Sequence, residues 1–398
     1  MNLGSLIAAA AYKELVNVDL PQRGSNQHEI NGVQALREFF DTAETVKGPI
    51  WWHFFSDDAE PLRENGDFTF YDARQRHPTR TEWRLYYSGD FLTAADEGDV
   101  LVLIRTKAPS QGLHALVFRR DSAWLRSAER LFGVTNLNPA NFEVFSQESL
   151  NATDLGLVGT TILEELGFGD LIPAAADDSE LVLKRFDGKF PITRHMSEFA
   201  REQVGTVNPA DPDATLVAWL QREEQLFRAL ERSVVETKVR QGFETVDEFI
   251  AFSLSVQNRR KSRMGYSLQN NLAALFDQHK IRYQSQAQTE GKNKPDFLFP
   301  GSKEYHDEKF SADLLVMLGA KSSLKERWRQ ILTEARRIQT KHLCTLEPGI
   351  SSDQTTEMRV HSVQLVIPLA FHETYREAQR REIWSVAAFV EFVKRKQA

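Results

Sequence analysis

The hydrophobic positions in the first half of the chain favour β-structure after a short helical start. Residues 1–45 open with an apolar run that predicts a first helix. Short runs rich in β-branched and aromatic residues follow, separated by turn-forming segments such as residues 65–67. The predicted strands are 50–55, 68–71, 83–87, 100–104 and 114–118. This spacing predicts a mainly β, barrel-like domain over residues 1–175.

The second half alternates helical and strand patterns. Apolar residues recur at helical spacing over residues 214–241, and shorter helices are predicted at 246–256 and 268–279. Beyond residue 290, the order strand, strand, helix, strand is typical of an α/β core with a central mixed sheet flanked by helices. These elements are strands 296–299 and 314–319, a helix over 324–340 and a strand over 363–368.

Length and composition predict a globular protein of two domains. A chain of 398 residues is too long for one ordinary core. A small, acidic stretch at 174–178 predicts a linker over 176–190 and a second domain over 191–398. No apolar run approaches the roughly 18 residues that a membrane span needs. The single cysteine, Cys344, excludes an internal disulfide framework and a cysteine-built zinc site, so we expect a cytoplasmic protein of a bacterium or archaeon.

The net charge of −7 hides an asymmetry between the two halves. Residues 201–398 contain 30 Lys and Arg against 26 Asp and Glu, whereas residues 1–200 contain 19 against 30. Nucleic acid responds to the local potential of the contact surface and not to the total charge. The balance in the second half is therefore compatible with DNA binding.

Three residues around the predicted sheet have the chemistry that phosphodiester hydrolysis needs. Asp296 opens one strand, Lys321 follows the next, and Glu334 lies on the predicted helix. Mg²⁺ binds one or two carboxylates, and a lysine stabilises charge that develops on the phosphate. The usual nuclease pattern has a carboxylate two residues before the lysine, where this chain has Gly319. On spacing alone, a turn aspartate, a solvated lysine and a helix-surface glutamate are the favoured interpretation.

A wider resemblance favours the nuclease interpretation. From about residue 190 the chain resembles the catalytic part of EcoRII-type type II restriction endonucleases, which belong to the PD-D/E-x-K nuclease superfamily. The segments that carry the resemblance are 242–250 (GFETVDEFI), 258–263 (NRRKSR), 289–291 (TEG), 294–300 (KPDFLFP), 305–307 (YHD) and 325–332 (KERWRQIL).

The resemblance implies a role for each residue of the predicted site. Asp296 and Glu334 would bind Mg²⁺, and Lys321 would be the catalytic lysine. In this subgroup the second carboxylate lies on the helix, so that Gly319 is expected. Tyr305 matches a tyrosine near the family's active site and is a secondary catalytic candidate. Related enzymes often carry an acid on the first core helix, where this chain has Gln269, Asn270 and Asn271, so the resemblance does not imply a metal ligand from that helix.

Two basic segments are candidate DNA contacts. Lys325, Glu326 and Arg327 match an element with which related enzymes read C:G pairs, which implies a target with CC at one end and GG at the other. Arg327 lies two helical turns before Glu334, which would put both residues on one face of the predicted helix. A second cluster is predicted to contact phosphates, with an exposed loop as the alternative. Its residues are Arg259, Arg260, Lys261 and Arg263.

The resemblance assigns the first domain a regulatory role. In EcoRII-type enzymes an N-terminal domain binds a second DNA copy and restrains the nuclease. Arg74, Arg76 and Arg80 alternate with aromatic residues and are candidate DNA contacts there, although an ordinary pair of strands fits equally. Residues 51–55 (WWHFF) are candidates for core packing or for a pocket that binds a modified base.

The predicted function is therefore Mg²⁺-dependent, site-specific cleavage of double-stranded DNA by a homodimer, with a cognate DNA methyltransferase in the same system. Two alternatives remain at this point. One is a modification-dependent endonuclease whose first domain recognises an altered base or backbone. The other is a DNA-binding regulator that retains an inactive nuclease fold.

Overall fold

The computed structural model describes residues 2–21, 28–31, 33–42, 44–77, 79–107, 113–134, 137–153, 155–172 and 176–398, without the side chains of residues 170, 176, 177, 261 and 325–327. The chain forms two compact units, which are described separately. The first contains Met1–Leu171 with Gly349–Ser351, and the second contains Ile172–Pro348 with Ser352–Ala398. Within the described residues, none of the helices has the length and apolarity required to cross a membrane.

The first unit is a single eight-stranded mixed sheet with short helices. Its strands are β1 (Ile7–Glu14), β2 (Glu29–Ile30), β3 (Val46–Phe55), β4 (Leu62–Asp72), β5 (Trp83–Tyr87), β6 (Val100–Thr106), β7 (Leu113–Phe118) and β8 (Glu143–Val144). Its helices are α1 (Leu36–Phe40), α2 (Ala123–Phe132), α3 (Gln147–Ala152) and α4 (Gly156–Glu165).

The strand order is β2-β5-β4-β3-β7-β6-β1-β8, and β3 and β7 are the parallel neighbours. The five strands expected from the sequence lie within β3 to β7, which confirms a β-rich first unit. Among the described residues the outermost strands, β2 and β8, do not pair with each other. The barrel-like form of this sheet therefore stays a prediction.

The first helix predicted from the sequence is wrong, because Ile7–Glu14 forms strand β1. This strand pairs with β6 along its length and with β8 at Ala11 and Tyr12. An apolar run without a clear period fits a buried helix and a strand buried on both faces equally well. The turn expected at residues 65–67 is also wrong, because these residues continue β4 opposite Pro49–Trp51.

The second unit is an α/β fold around a five-stranded mixed sheet. Its helices are α5 (Ala176–Phe186), α6 (Thr193–Val204), α7 (Pro212–Gln241), α8 (Val246–Gln278), α9 (Ser302–His306), α10 (Ser352–Val360), α11 (Glu377–Arg380) and α12 (Val386–Gln397). Its strands are β9 (Gln284–Ser285), β10 (Phe297–Phe299), β11 (Val316–Lys321), β12 (Lys341–Thr345) and β13 (Val363–Val366). The order is β13-β12-β11-β10-β9, with β11, β12 and β13 parallel and the other pairs antiparallel.

Helix α5 occupies most of the segment expected to be a linker. Val182 of α5 is fully buried and packs in a helical core with Met196, Phe199 and Leu230. Leu181, Val182 and Phe186 give this acidic segment an apolar face, which corrects the linker prediction for residues 176–186. The boundary between the compact units falls after Leu171, four residues before the predicted end of the first domain.

Two further helix predictions differ from the structure. The helices expected at 246–256 and 268–279 are one continuous helix, α8, because the segment between them has no proline and the helix continues through Gly265. The helix expected over 324–340 is a 3-10 helix, Lys325–Thr333, and Glu334 follows it in extended conformation. Glu334 and Arg327 therefore do not share a helical face. Four apolar side chains of that segment, Trp328, Ile331, Ala335 and Ile338, are buried, and Leu332 is half-buried.

Candidate active site

The antiparallel pair β10–β11 brings Asp296 and Lys321 together. Phe297 pairs with Leu318, so Asp296 at the start of β10 lies next to the end of β11. Lys321 Nζ donates a hydrogen bond to Asp296 Oδ2 at 2.9 Å, and the backbone N–H of Ala320 donates to the same oxygen at 2.8 Å. The carboxylate is buried and the lysine is one-quarter exposed. Residues 25 positions apart in sequence thus form one charged pair.

Two glutamines hold the other oxygen of Asp296. Gln269 Nε2 on α8 and Gln286 Nε2 after β9 donate to Asp296 Oδ1 at 2.9 and 2.8 Å. The first core helix therefore reaches the site with an amide and not with the carboxylate that relatives often carry. From the sequence, Gln269 was noted only as part of a departure from the family pattern. No sequence signal indicated Gln286.

Glu334 reaches the same region from the segment that follows the 3-10 helix. Burial raises the pKa of its carboxyl group to about 7, and the negative charge of Asp296 adds to this shift, whereas Lys321 and Lys341 oppose it. The carboxyl group of Glu334 is thus half-buried, and the charges of Asp296 and Lys321 both affect its pKa. This electrostatic coupling links Glu334 to Asp296 and Lys321.

The structure also gives a physical reason for Gly319. A Cβ atom at this position would lie 3.0 Å from Cγ2 of Ile331 and 3.4 Å from Cδ1 of Leu343. The position where the usual nuclease pattern has its second carboxylate is therefore filled by the packing of the 3-10 helix against the sheet.

Tyr305 lies beside the site but faces inward. The residue is 2% exposed, and its hydroxyl donates to Oε1 of Glu290 and accepts a hydrogen bond from the backbone N–H of Arg337 at 3.3 Å. Burial, followed by the hydrogen bond with Glu290, raises the pKa of Tyr305 to about 12. The hydroxyl is thus engaged within the protein. No spacing rule pointed to Glu290, which lies in one of the segments that carry the resemblance.

The basic cluster of α8 is only partly exposed. Arg263 is buried and ion-paired with Glu224, and Arg260 is paired with Glu231 at 2.8 Å. Arg259 is exposed, and its guanidinium lies over the ring of Phe190 at 4.2 Å. The segment is part of a helix and not the exposed loop considered as the alternative, and Arg263 lies in the interior, so contact of this cluster with phosphates stays a prediction for its exposed members. The side chains of Lys261, Lys325, Glu326 and Arg327 lie outside the described residues.

In the first unit, two of the three candidate arginines are exposed without a described ion pair. Arg74 is paired with Glu82, whereas Arg76 and Arg80 are exposed in the segment between β4 and β5. Residues 52, 54 and 55 of the aromatic run are buried, which favours core packing for that run.

The donor set at the site suits a hard cation such as Mg²⁺. Within the described residues, no group of three or more His, Cys, Asp or Glu side chains is arranged to hold a metal. Two carboxylates are nevertheless enough for Mg²⁺, which keeps several waters and takes oxygen from phosphate. Burial and the charge of Asp296 raise the pKa of Glu334 despite the two nearby lysines. A divalent cation held there would lower that pKa and favour the carboxylate.

Comparison with solved structures gives distant similarities. Metal-depleted Ecl18kI in complex with uncleaved, modified DNA is 18% identical, with 55% of this chain and 83% of that chain covered and a TM-score of 0.46. A complex of the restriction endonuclease PspGI with substrate DNA is 13% identical, with 57% and 94% covered and a TM-score of 0.40.

Comparison of sequences gives a closer relationship. The type II restriction enzyme EcoRII of Escherichia coli is 44% identical over 203 residues, which are 51% of this chain and 50% of that protein. The chain thus matches about half the length of this curated relative. Residues 227–390 match the family model described as EcoRII C terminal. The matched residues lie within the part of the chain, from about residue 190, for which the sequence predicted this resemblance.

Proposed function

We propose that this chain is a type II restriction endonuclease whose second unit hydrolyses double-stranded DNA with Mg²⁺. The observation that carries the proposal is the contact of Lys321 with Asp296, together with the electrostatic coupling of Glu334 to both. These are the two oxygen ligands and the one ammonium group that phosphodiester hydrolysis needs. The relationship to EcoRII over 203 residues supports the same reaction class.

Asp296 and Glu334 would hold the cation, and Lys321 would stabilise the negative charge that develops on the scissile phosphate. When bound, Mg²⁺ supplies Lewis-acid activation of the phosphate and a more acidic water. Asp296 accepts four hydrogen bonds, so one of them has to give way to a metal ligand. The side chains of Gln269, Gln286 and Lys321 can move, whereas the N–H of Ala320 is fixed in β11.

The target and the assembly are proposed from the sequence. Lys325, Glu326 and Arg327 would read C:G pairs in the major groove of a site with CC at one end and GG at the other. A symmetric target requires two active sites, which favours a homodimer. The first unit would sense a second DNA copy, and a cognate methyltransferase would protect host DNA.

Incubation of the full chain with Mg²⁺ and phage DNA is expected to give discrete fragments. Lys321→Ala should abolish cleavage but keep DNA binding, because it removes the ammonium group without disturbing the distant contacts. Lys394→Ala, which removes an exposed lysine paired with Glu391 on α12, should cut like the parent.

Random degradation, or equal cleavage by parent and Lys321→Ala, would contradict the proposal. Cleavage confined to methylated or otherwise modified DNA would assign the chain to modification-dependent endonucleases instead. Comparison of plain and modified phage DNA in the same assay makes this distinction.

A further inference from the structure

The segment that carries Glu334 is held by hydrogen bonds from outside itself. The carbonyl of Thr333 accepts from Asn293 Nδ2 at 2.8 Å, and the carbonyl of Ala335 accepts from Lys341 Nζ at 2.6 Å. The N–H of Ala335 donates to Oγ1 of Thr289 at 3.4 Å. Both sides of Glu334 are thus attached to other parts of the second unit.

Glu290 and Tyr305 supply the next two attachments. Oε1 of Glu290 accepts from the N–H of Arg336 at 3.0 Å, and the hydroxyl of Tyr305 accepts from the N–H of Arg337 at 3.3 Å. The two side chains are joined to each other by the hydrogen bond from the tyrosine hydroxyl. Arg337 also donates from its guanidinium to the carbonyls of Tyr305, Asp307 and Phe310. The pair therefore links residues 333–337 to α9 and to the segment that follows it.

The Thr333–Arg337 segment needs hydrogen bonds from other segments because it makes few within itself. The 3-10 helix ends at Thr333, so the peptide groups beyond it have no continuing helical ladder. Ala335 has φ of 48°, a left-handed conformation that a residue with a Cβ atom adopts only when its surroundings impose it. The bonds from Glu290 and Tyr305 lie immediately after this residue.

We propose that Glu290 and Tyr305 are positioning residues that hold the Thr333–Arg337 segment and so keep Glu334 beside Asp296 and Lys321. This inference rests on the proposed nuclease function for its consequence in catalysis. We call this arrangement the clamp. It consists of the hydrogen bonds that Glu290 and Tyr305 accept from the backbone N–H groups of Arg336 and Arg337. Tyr305 then acts through Glu334 and not by contact with the reacting phosphate, which differs from the catalytic role considered for it from the sequence.

Hydrogen–deuterium exchange of the full chain without metal or DNA tests the clamp directly. Glu290→Ala and Tyr305→Phe each remove an acceptor, so peptides spanning 333–337 should exchange about tenfold faster. Glu290→Gln keeps an acceptor oxygen and should exchange like the parent. Tyr283→Phe is a matched control, because it removes a tyrosine hydroxyl of the same unit that bonds to the Ala273 carbonyl.

Cleavage of a DNA substrate with Mg²⁺ then tests whether loss of the clamp slows catalysis. The kcat of Glu290→Ala should fall about tenfold or more with KM unchanged, and Glu290→Gln should restore it. Unchanged exchange in both Glu290→Ala and Tyr305→Phe would overturn the clamp. Loss of cleavage in Tyr305→Phe with unchanged exchange would also overturn it and make Tyr305 catalytic. Faster exchange in a protein whose parent does not cut DNA would sustain the clamp and refute the nuclease function.

Discussion

At the scale of single residues, the two carboxylates of the site differ in their surroundings. Asp296 accepts hydrogen bonds from four donors, one of which is the ammonium group of Lys321. Glu334 is half-buried, and burial together with the negative charge of Asp296 raises its pKa to about 7. Positive charge beside Glu334 lowers that pKa, so a divalent cation held by both carboxylates would favour the ionised form of Glu334.

The raised pKa of Glu334 predicts a stability effect in protein without metal. The ordinary carboxyl pKa of 4.5 applies to the unfolded chain and about 7 to the folded one, so the folded state binds the proton more tightly. Stability should therefore fall as the pH rises from about 4.5 to 7. Glu334→Gln cannot ionise and should be more stable than the parent above pH 7, by about 1–3 kcal/mol after allowance for solvent screening.

Thermal unfolding of both proteins in EDTA across this pH range checks the effect, and the two should converge at pH 4.5. Glu236→Gln is a control at an exposed, ion-paired glutamate of α7. Equal stability of parent and Glu334→Gln at pH 8 would mean that burial does not raise the pKa of this carboxyl group.

At the scale of elements, the sequence predicted the sheets better than the helices that border the site. The strands at 50–55, 83–87 and 363–368 are confirmed, because β-branched and aromatic runs between turn residues leave few other structures. The segment Ile7–Glu14 was not recognised as a strand, since its alanines favour a helix locally and only the pairing with β6 decides otherwise. Strand β12, which contains the buried Lys341 and His342, was missed because polar residues interrupt its apolar pattern.

The candidate site shows the same limit. Asp296, Lys321 and Glu334 were selected from the sequence, but their selection depended on a family resemblance, and Glu334 was expected on a helix. Gln286 and Glu290 were not selected, because they act through hydrogen bonds to residues between 10 and 46 positions away in the sequence. No periodicity or spacing encodes such a contact. The glycine at position 319, by contrast, has a steric cause, because Ile331 and Leu343 lie close to the place that a Cβ atom would occupy.

The close packing at Gly319 predicts opposite outcomes for two glycine substitutions. Gly319→Ala would place a Cβ atom 3.0 Å from Ile331, so the 3-10 helix has to shift and the free energy of unfolding should fall by about 1–3 kcal/mol. Gly265→Ala on α8 is the matched control, because nothing lies within 4 Å of its Cβ position. Since alanine favours a helix over glycine, it should stabilise by about 0.5–1 kcal/mol. Urea unfolding measures both, and a stable Gly319→Ala protein would show that this packing is loose.

At the scale of the whole molecule, the two units divide the charge and the proposed tasks. The unfavourable balance of residues 1–200, with 19 basic against 30 acidic side chains, does not suit a broad DNA-binding surface. A local contact is compatible with it. Arg76 and Arg80 are exposed in one short segment, whereas Arg74 and Arg84 are already paired with Glu82. If the first unit senses a second DNA copy, these two exposed arginines are its best candidates.

Stimulation by a second DNA copy gives the prediction for the full chain. A short duplex that carries the recognition site should accelerate cleavage of a plasmid with one site if, as the resemblance implies, occupation of the first unit relieves a restraint on the nuclease. The double variant Arg76→Glu/Arg80→Glu should lose this stimulation, since two phosphate contacts become repulsive, while its unstimulated rate stays that of the parent. Arg120→Glu, a single charge reversal at another exposed arginine of the first unit, should still be stimulated. If the duplex stimulates the double variant to the rate of the parent, Arg76 and Arg80 do not bind the second DNA copy. If the duplex does not accelerate cleavage by the parent, the first unit does not sense a second DNA copy.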